Sequence, residues 1–166
     1  MDMRCDAFRG LADFGAAIGA IVERTGGPET RLTVGKVTLE PNFPHSIAGT
    51  AEFSVVGRDV DETTMRALAA DCRAEIARAA GAHGLDCDIT EQGWLPPTRL
   101  DPGVAGRLRA IAAASGLPAR VMASGAGHDA QTFARHVPAG LIFVPSAGGV
   151  SHSPRERTDW DHVASG

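Results

Sequence analysis

The order of apolar patterns over the first 90 residues most constrains how this sequence can fold. Apolar side chains recur at helical spacing in two stretches, and the other stretches are β-branched or alternate apolar with polar residues. The predicted elements are a helix at 5–24, strands at 31–40 and 50–58, a helix at 65–79 and a strand at 85–90. The predicted order is therefore α-β-β-α-β.

This order matches a split βαβ (ferredoxin-like) layer that lacks its first strand. The chain opens directly on a helix, so nothing before that helix supplies the strand. The order therefore indicates that residues once preceded Met1.

A proline-rich break at residues 92–101 separates a second pattern from the first. Strands alternate with helices there, which favours a parallel sheet covered on both faces, although two short strands cannot form such a sheet alone. The predicted elements are a helix from Pro102, strands at 120–123 and 141–144, a short helix from Ala130 and a helix start at Ser153–Glu156. We therefore expect an α/β fold with domains at 1–92 and 93–166.

Composition and charge argue against several classes of protein. The formal net charge is −4, there is no Lys/Arg run, and aromatic residues are 5% with no Tyr, so nucleic acid is not an expected partner. No stretch approaches the roughly 20 apolar residues of a membrane span. The charged N-terminus is unlike a signal peptide, and three cysteines without metal spacing indicate reduced thiols. A cytoplasmic protein is expected.

The glycine-rich turn at 124–129 is the first candidate site. Its G-x-G-x-x-A spacing is a weak dinucleotide signature, because the next strand ends without the acidic residue that holds a ribose. Backbone N–H groups and His128 could instead donate hydrogen bonds to an anionic or carbonyl oxygen. The favoured alternative is that Asp129 caps the short helix and His128 faces solvent.

Three further side chains are candidates for binding. His152 follows a glycine-rich loop, where a neutral imidazole suits a metal ligand or an acid/base, or has only a structural role. Arg58 is expected on the open face of its strand, and His45 in the turn before it. Together these two could bind a carboxylate, or both could be plain surface residues.

The residues needed for catalysis are not recognisable in this sequence. Neither Ser124 nor any cysteine sits in a nucleophile elbow or near an evident base and orienting acid. Metal-dependent hydrolysis needs three or four ligands, and His152 is the one we can nominate. No catalytic residue is therefore assigned.

Several motifs in sequence order resemble one enzyme family. SGAGHDA and LIFVPSAGGVSHSPRE resemble the C-terminal part of the hydantoinase/carbamoylase family of amidases, and MDMRCDAF, TVGKVTLEPN and IAGTAEFSVVGRD resemble its lid, or dimerisation, domain. The family comprises metal-dependent amidohydrolases that cleave N-carbamoyl amino acids, allantoate and N-carbamoyl-β-alanine, and it is related to the dizinc amino- and carboxypeptidases. The resemblance implies a lid domain at 1–92, lacking its first strand, and the closing portion of a zinc-peptidase-like catalytic domain at 93–166.

The resemblance also implies roles for particular residues. His152 matches the last metal ligand, Gly127 and His128 match the substrate-contacting loop, and Arg58 matches the lid arginine that grips the substrate carboxylate. His45 stands where the family often has asparagine. The implied cofactors are two divalent ions (zinc, manganese, cobalt or nickel) in the full-length enzyme, and the implied assembly is a homodimer through the lid.

The other metal ligands of the family are missing from this sequence, so the resemblance implies a fragment of a longer enzyme. We expect the isolated chain to hydrolyse N-carbamoyl or ureido carboxylates negligibly. The alternative is a non-catalytic module that dimerises and binds substrate. If both domains lack strands, their exposed edges and apolar faces predict aggregation.

Overall fold

The computed structural model describes residues 5–166 and divides into two compact units, Met1–Pro97 and Thr98–Gly166. The predicted mixture of helix and strand is confirmed. Within the described residues, no helix combines the length and the apolar character that crossing a membrane requires.

The first unit contains a strand hairpin and two long helices. Its elements are α1 (Ala7–Thr25), β1 (Arg31–Glu40), β2 (Thr50–Arg58) and α2 (Glu62–Ala82). The strands are antiparallel, with Arg31 opposite Arg58, Glu40 opposite Thr50, and an irregularity between Val34 and Val37. These four elements confirm the predicted helix-strand-strand-helix order.

The core of the first unit lies between the two helices and one face of the hairpin. Its buried residues are Phe14, Ile21, Leu68, Cys72 and Ala79. The hairpin contributes Phe53 and Val55, and the rings of Phe14 and Phe53 lie 5.6 Å apart. Both strand residues come from the alternating face predicted for β2. The apolar stripe of α1 and the alternation of β2 therefore meet in one cluster, and its burial stabilises the unit.

Polar contacts fix where α2 begins and how it joins α1. The Asp61 carboxylate accepts a hydrogen bond from the Thr64 N–H at 2.7 Å and caps the helix. On the next turns of α2, Asp71 accepts hydrogen bonds from Thr25 and, at 2.9 Å, from Arg24. The hydrogen bonds from Thr25 and then Arg24 hold the pKa of Asp71 below its ordinary value of 3.8.

The linker after α2 packs against that helix. The Arg66 guanidinium lies 4.9 Å from the centre of the Trp94 ring, and Trp94 Nε1 donates to Glu62 at 3.4 Å. These contacts hold Trp94 against α2, and the first unit extends to Pro97. The sequence had placed the boundary after residue 92.

The strand predicted at residues 85–90 is wrong. In the described chain the sheet consists of β1 and β2, and residues 85–90 join no ladder. In a split βαβ layer the last strand pairs with the first, and the α-β-β-α-β order lacks that first strand. The alternating residues therefore have no strand partner: the Leu85 N–H donates instead to the Ala80 carbonyl at 3.0 Å, and Ile89 is exposed.

The second unit contains short helices joined by irregular segments. They are α3 (Pro102–Ala114), α4 (Asp129–Phe133), a 3₁₀ turn (Ala147–Gly149) and α5 (Trp160–Ser165). The start of α3 is as predicted, with the Asp101 carboxylate accepting from the Val104 N–H at 2.7 Å.

The helix start predicted at Ser153–Glu156 is wrong. These residues form a turn in which the Glu156 N–H donates to the Ser153 carbonyl at 2.9 Å. The Glu156 carboxylate accepts from the His152 N–H instead of capping a helix, and α5 begins later, at Trp160.

The strands predicted at 120–123 and 141–144 are also wrong. Neither segment pairs with another in the described chain, and Val121, Met122, Ile142 and Phe143 are exposed. Strand hydrogen bonds require neighbouring strands, and these two segments do not pair with each other. Every buried hydrophobic residue of the described chain lies in the first unit, so the second unit has no comparable core.

Replacing Phe14 by alanine tests the core. Its side chain is 1% exposed in the cluster, so Phe14→Ala is expected to lower the free energy of unfolding by about 3 kcal/mol or more through lost burial and a cavity. Urea unfolding followed by circular dichroism measures the change. Phe8→Ala, at a ring on the same helix that is 52% exposed, is the matched control, with an expected change of about 0.5 kcal/mol or less. Equal losses of unfolding free energy in the two variants would contradict the placement of Phe14 in the core.

The Asp71 contacts predict a pH-dependent contribution to stability. Because folding lowers the pKa of Asp71 below 3.8, its contribution is present above pH 3.8 and lost as the pH falls below that value. The stability difference between the wild type and Asp71→Asn should therefore be largest near neutral pH and shrink below pH 3.8. Urea titrations at a series of pH values measure it. A difference that stays constant into the acid range would show that the ionised carboxylate contributes nothing.

Candidate functional site

The two binding residues predicted in the first unit lie at opposite ends of β2. His45 is in the loop that precedes the strand and Arg58 is its last residue. At about 3.3 Å per residue, the nine-residue strand places Thr50 and Arg58 about 26 Å apart. The expectation that His45 and Arg58 together bind one carboxylate is therefore wrong within a single chain.

Arg58 is an exposed residue at the last position of β2. It lies directly opposite Arg31 in the strand register, and directly opposed residues share a face of the sheet. Arg31 donates hydrogen bonds to the carbonyls of Pro28 at 2.9 Å and Thr30 at 2.7 Å.

His45 lies in an exposed apolar loop. Its ring packs edge-on against Phe43, with the ring centres 6.0 Å apart, and Ile47 is also exposed. His45 is therefore an exposed imidazole beside one apolar ring.

In the second unit, His128 is held by contacts on its backbone and on its ring. It is the N-cap residue of α4, and its N–H donates to Gln131 Oε1 at 3.2 Å. The ring nitrogen Nε2 lies 2.7 Å from Ser124 Oγ, and the ring packs edge-on against Phe143 with centres 5.4 Å apart. The favoured alternative, in which Asp129 caps the helix and His128 faces solvent, is wrong: Asp129 is the first helical residue and His128 is half-buried.

The contact between Ser124 and His128 is one that sequence reasoning missed. No base with an orienting acid was evident near Ser124 in the sequence; the glycine turn folds its hydroxyl back onto the imidazole four residues later. The same Oγ also accepts from the Ala126 N–H at 3.1 Å. A serine nucleophile needs, besides its base, a third group that orients that base, so this contact alone does not assign a nucleophile. Gly127 lies in the exposed part of the same turn.

His152 has an unusual backbone conformation. It is exposed and its φ is 54°, in the left-handed region that residues other than glycine rarely adopt. Its N–H donates to the Glu156 carboxylate at 2.9 Å. The loop is closed at its base by the Ala147 N–H, which donates to the Arg157 carbonyl at 2.7 Å. Residues in sparsely populated backbone regions cluster at functional sites, which is consistent with a role for His152.

The described residues do not by themselves fit a metal centre. Across residues 5–166, no group of three or more His, Cys, Asp or Glu side chains is placed to hold an ion. A catalytic zinc ion takes three protein ligands. His152 can therefore be no more than one member of a ligand set.

A cavity of about 430 Å³ lies elsewhere in the second unit. It is lined by residues 99–102 and 134–139 and contains none of the predicted site residues. The candidate site is therefore not at this cavity.

Comparison with known proteins gives the family. The model of "Peptidase family M20/M25/M40" matches residues 5–166. An allantoate amidohydrolase from Bacillus subtilis is 38% identical over 130 residues, which are 78% of this chain and 32% of that protein. An N-carbamoyl-L-amino-acid amidohydrolase from Paenarthrobacter aurescens is 33% identical over 137 residues, 82% of this chain and 33% of that protein.

A solved structure agrees with these relatives. An amidase of the hydantoinase/carbamoylase family from Burkholderia multivorans matches with a TM-score of 0.91 and 30% identity, over 99% of this chain and 40% of that one. This chain thus spans well under half the length of the proteins it matches. The chain belongs to peptidase family M20/M25/M40, among the amidases of the hydantoinase/carbamoylase type.

Proposed function

We propose that this chain supplies substrate-binding residues and one metal ligand to an amidohydrolase that cleaves a linear C–N bond in N-carbamoyl or ureido amino-acid-like substrates. The observation that carries the proposal is the similarity to allantoate and N-carbamoyl-L-amino-acid amidohydrolases. In this proposal residues 1–92 act as the lid domain and residues 93–166 as the closing portion of the catalytic domain.

Arg58 binds the substrate carboxylate. A guanidinium group matches a carboxylate in shape and can donate two parallel hydrogen bonds. The exposed position of Arg58 at the end of β2 supports this role. His45 lies at the other end of β2, too far away for one small substrate to reach both residues, and therefore contacts a different copy of the substrate.

Gly127 and His128 contact the carbamoyl or ureido group. The turn that carries them is ordered by Ser124, and its histidine is half-buried. A ureido group offers both N–H donors and a carbonyl acceptor, which an imidazole and backbone groups can bind.

His152 is one ligand of a centre with two divalent ions, zinc, manganese, cobalt or nickel. Such ions polarise a carbonyl and activate water in hydrolases of this kind. Because the described residues form no ligand cluster, the other ligands belong to the part of the relatives that this chain does not span. For the same reason we assign the 166 residues no hydrolytic step of their own.

The first unit forms a homodimer in a cytoplasmic protein. In the described part of the chain, β1 and β2 pair only with each other, which leaves sheet edges available for pairing between copies. The free thiols of Cys5, Cys72 and Cys87 are consistent with a reducing compartment. A module that binds carboxylates and dimerises without catalysis is the second candidate, favoured by the absence of a ligand cluster within residues 5–166.

Calorimetric titration with an N-carbamoyl-L-amino acid tests the binding role of Arg58. Arg58→Ala is expected to weaken binding by about tenfold or more, because a hydrogen bond to a charged group contributes about 1.5–3 kcal/mol. Arg58→Lys should retain part of the affinity, since it keeps the charge but loses the paired donors.

The matched control is Arg31→Ala, at the residue opposite Arg58 in the register. Its side chain is already hydrogen-bonded to backbone carbonyls. Arg31→Ala is therefore expected to change the affinity for the ligand by about twofold or less. Equal losses of affinity in Arg58→Ala and Arg31→Ala would show only a general effect of positive charge. No binding to the wild type would overturn the proposal that this chain holds a substrate site.

A further inference from the structure

The cavity of about 430 Å³ in the second unit lies between two segments of the chain. One wall is formed by residues 99–102, which run into the start of α3, and the other by residues 134–139, which follow α4. The two walls are joined directly, because the Asp101 N–H donates to the Ala139 carbonyl at 3.0 Å. The shape of the cavity is therefore supported by a backbone hydrogen bond between its walls.

Basic side chains line both walls of this cavity. Arg99 lies on the first wall, and Arg135 and His136 lie on the second. Within residues 5–166, none of these three side chains forms an ion pair or a hydrogen bond. Apart from Asp101, the remaining lining residues are apolar. The cavity therefore combines unpaired hydrogen-bond donors with an apolar surface.

The carboxylate that lines the cavity is already engaged. Asp101 Oδ1 accepts from the Val104 N–H at 2.7 Å and caps α3, where the positive end of the helix stabilises a negative charge. In the part of the chain that the structure describes, Asp101 forms no ion pair with Arg99 or Arg135. The two guanidinium groups at the cavity are therefore left without a counter-charge.

A phosphate monoester matches these donors better than a carboxylate does. A phosphate group carries a charge of about −1.5 to −2 at pH 7 and three acceptor oxygens, which two guanidinium groups and one imidazole can share. A carboxylate offers two oxygens and a single charge. The apolar side chains of Leu100 and Val137 also line the cavity and can contact the carbon part of an ester. The volume lies within the roughly 300–1,000 Å³ of small-molecule sites.

We propose that this cavity binds a small organic phosphate monoester, whose phosphate group is held by Arg99, Arg135 and His136. The apolar lining favours an ester over inorganic phosphate, since it buries the carbon part of the ligand. The residues assigned above to the amidohydrolase substrate and to the metal ion do not line this cavity. The proposal therefore stands or fails separately from the proposed hydrolytic function.

Calorimetric titration of the full chain with phenyl phosphate, inorganic phosphate and benzoate tests the ligand class. Phenyl phosphate should bind about tenfold or more tightly than benzoate, because its extra charge and oxygen add charged hydrogen bonds. It should also bind more tightly than inorganic phosphate, which lacks the ring. Equal affinity for benzoate would overturn the preference for phosphate, and equal affinity for inorganic phosphate would overturn the role of the apolar lining. No binding of phenyl phosphate would overturn the site itself.

Alanine variants of the lining arginines test the location of the site. Arg99→Ala and Arg135→Ala should each weaken phenyl phosphate binding by about tenfold or more. The matched control is Arg109→Ala, which removes an exposed arginine of α3 that does not line the cavity and should change the affinity by about twofold or less. Equal losses in all three variants would show attraction by net charge alone and would overturn the site.

Amide NMR spectra of the full chain test the location without any substitution. Adding phenyl phosphate should shift the amide signals of residues 99–101 and 135–137, which form the two walls. Signals that shift elsewhere while these stay unchanged would overturn the proposal.

Discussion

Pairing of backbone hydrogen-bonding groups between strands determines which parts of this chain form a sheet. Arg31–Glu40 and Thr50–Arg58 are adjacent hairpin partners and satisfy each other along their length. That ladder holds Phe53 and Val55 on one face, against which α1 and α2 bury Phe14 and Leu68. The other strand-like segments find no partner in the described chain and add nothing to that core.

Elements that depend on local chemistry could be predicted from the sequence. The helical spacing around Phe14, the alternation around Phe53, and the caps at Asp61 and Asp101 all involve residues a few positions apart. The segments at 120–123 and 141–144 could not be predicted correctly, because a strand forms only where a distant segment supplies its hydrogen bonds. Their β-branched and apolar composition indicates strand preference but carries no information about the presence of a neighbour.

In the candidate site, too, local features could be predicted from the sequence and contacts between separated residues could not. Sequence motifs identified His128, but not that the turn returns the Ser124 hydroxyl to its ring, nor that Phe143 packs beside it. His45 and Arg58 were paired because one lies in the turn before the strand that carries the other, yet the extended strand separates them. His152 was identified from its loop, while its left-handed backbone became visible only in three dimensions. Each role assigned to these residues depends on parts of the relatives that this chain does not span.

The central claim is that strand pairing determines which segments of this chain form stable structure. Residue-resolved amide hydrogen exchange tests this claim most directly. The account predicts slow exchange for paired amides of β1 and β2 and for the interiors of α1 and α2, because these hydrogen bonds lie beside the buried cluster. Amides at 86–90, 120–123 and 141–144 should exchange at nearly the rates of an unfolded peptide. Protection at 141–144 equal to that of β2 would contradict the account, since it would require strand partners that the structure does not contain.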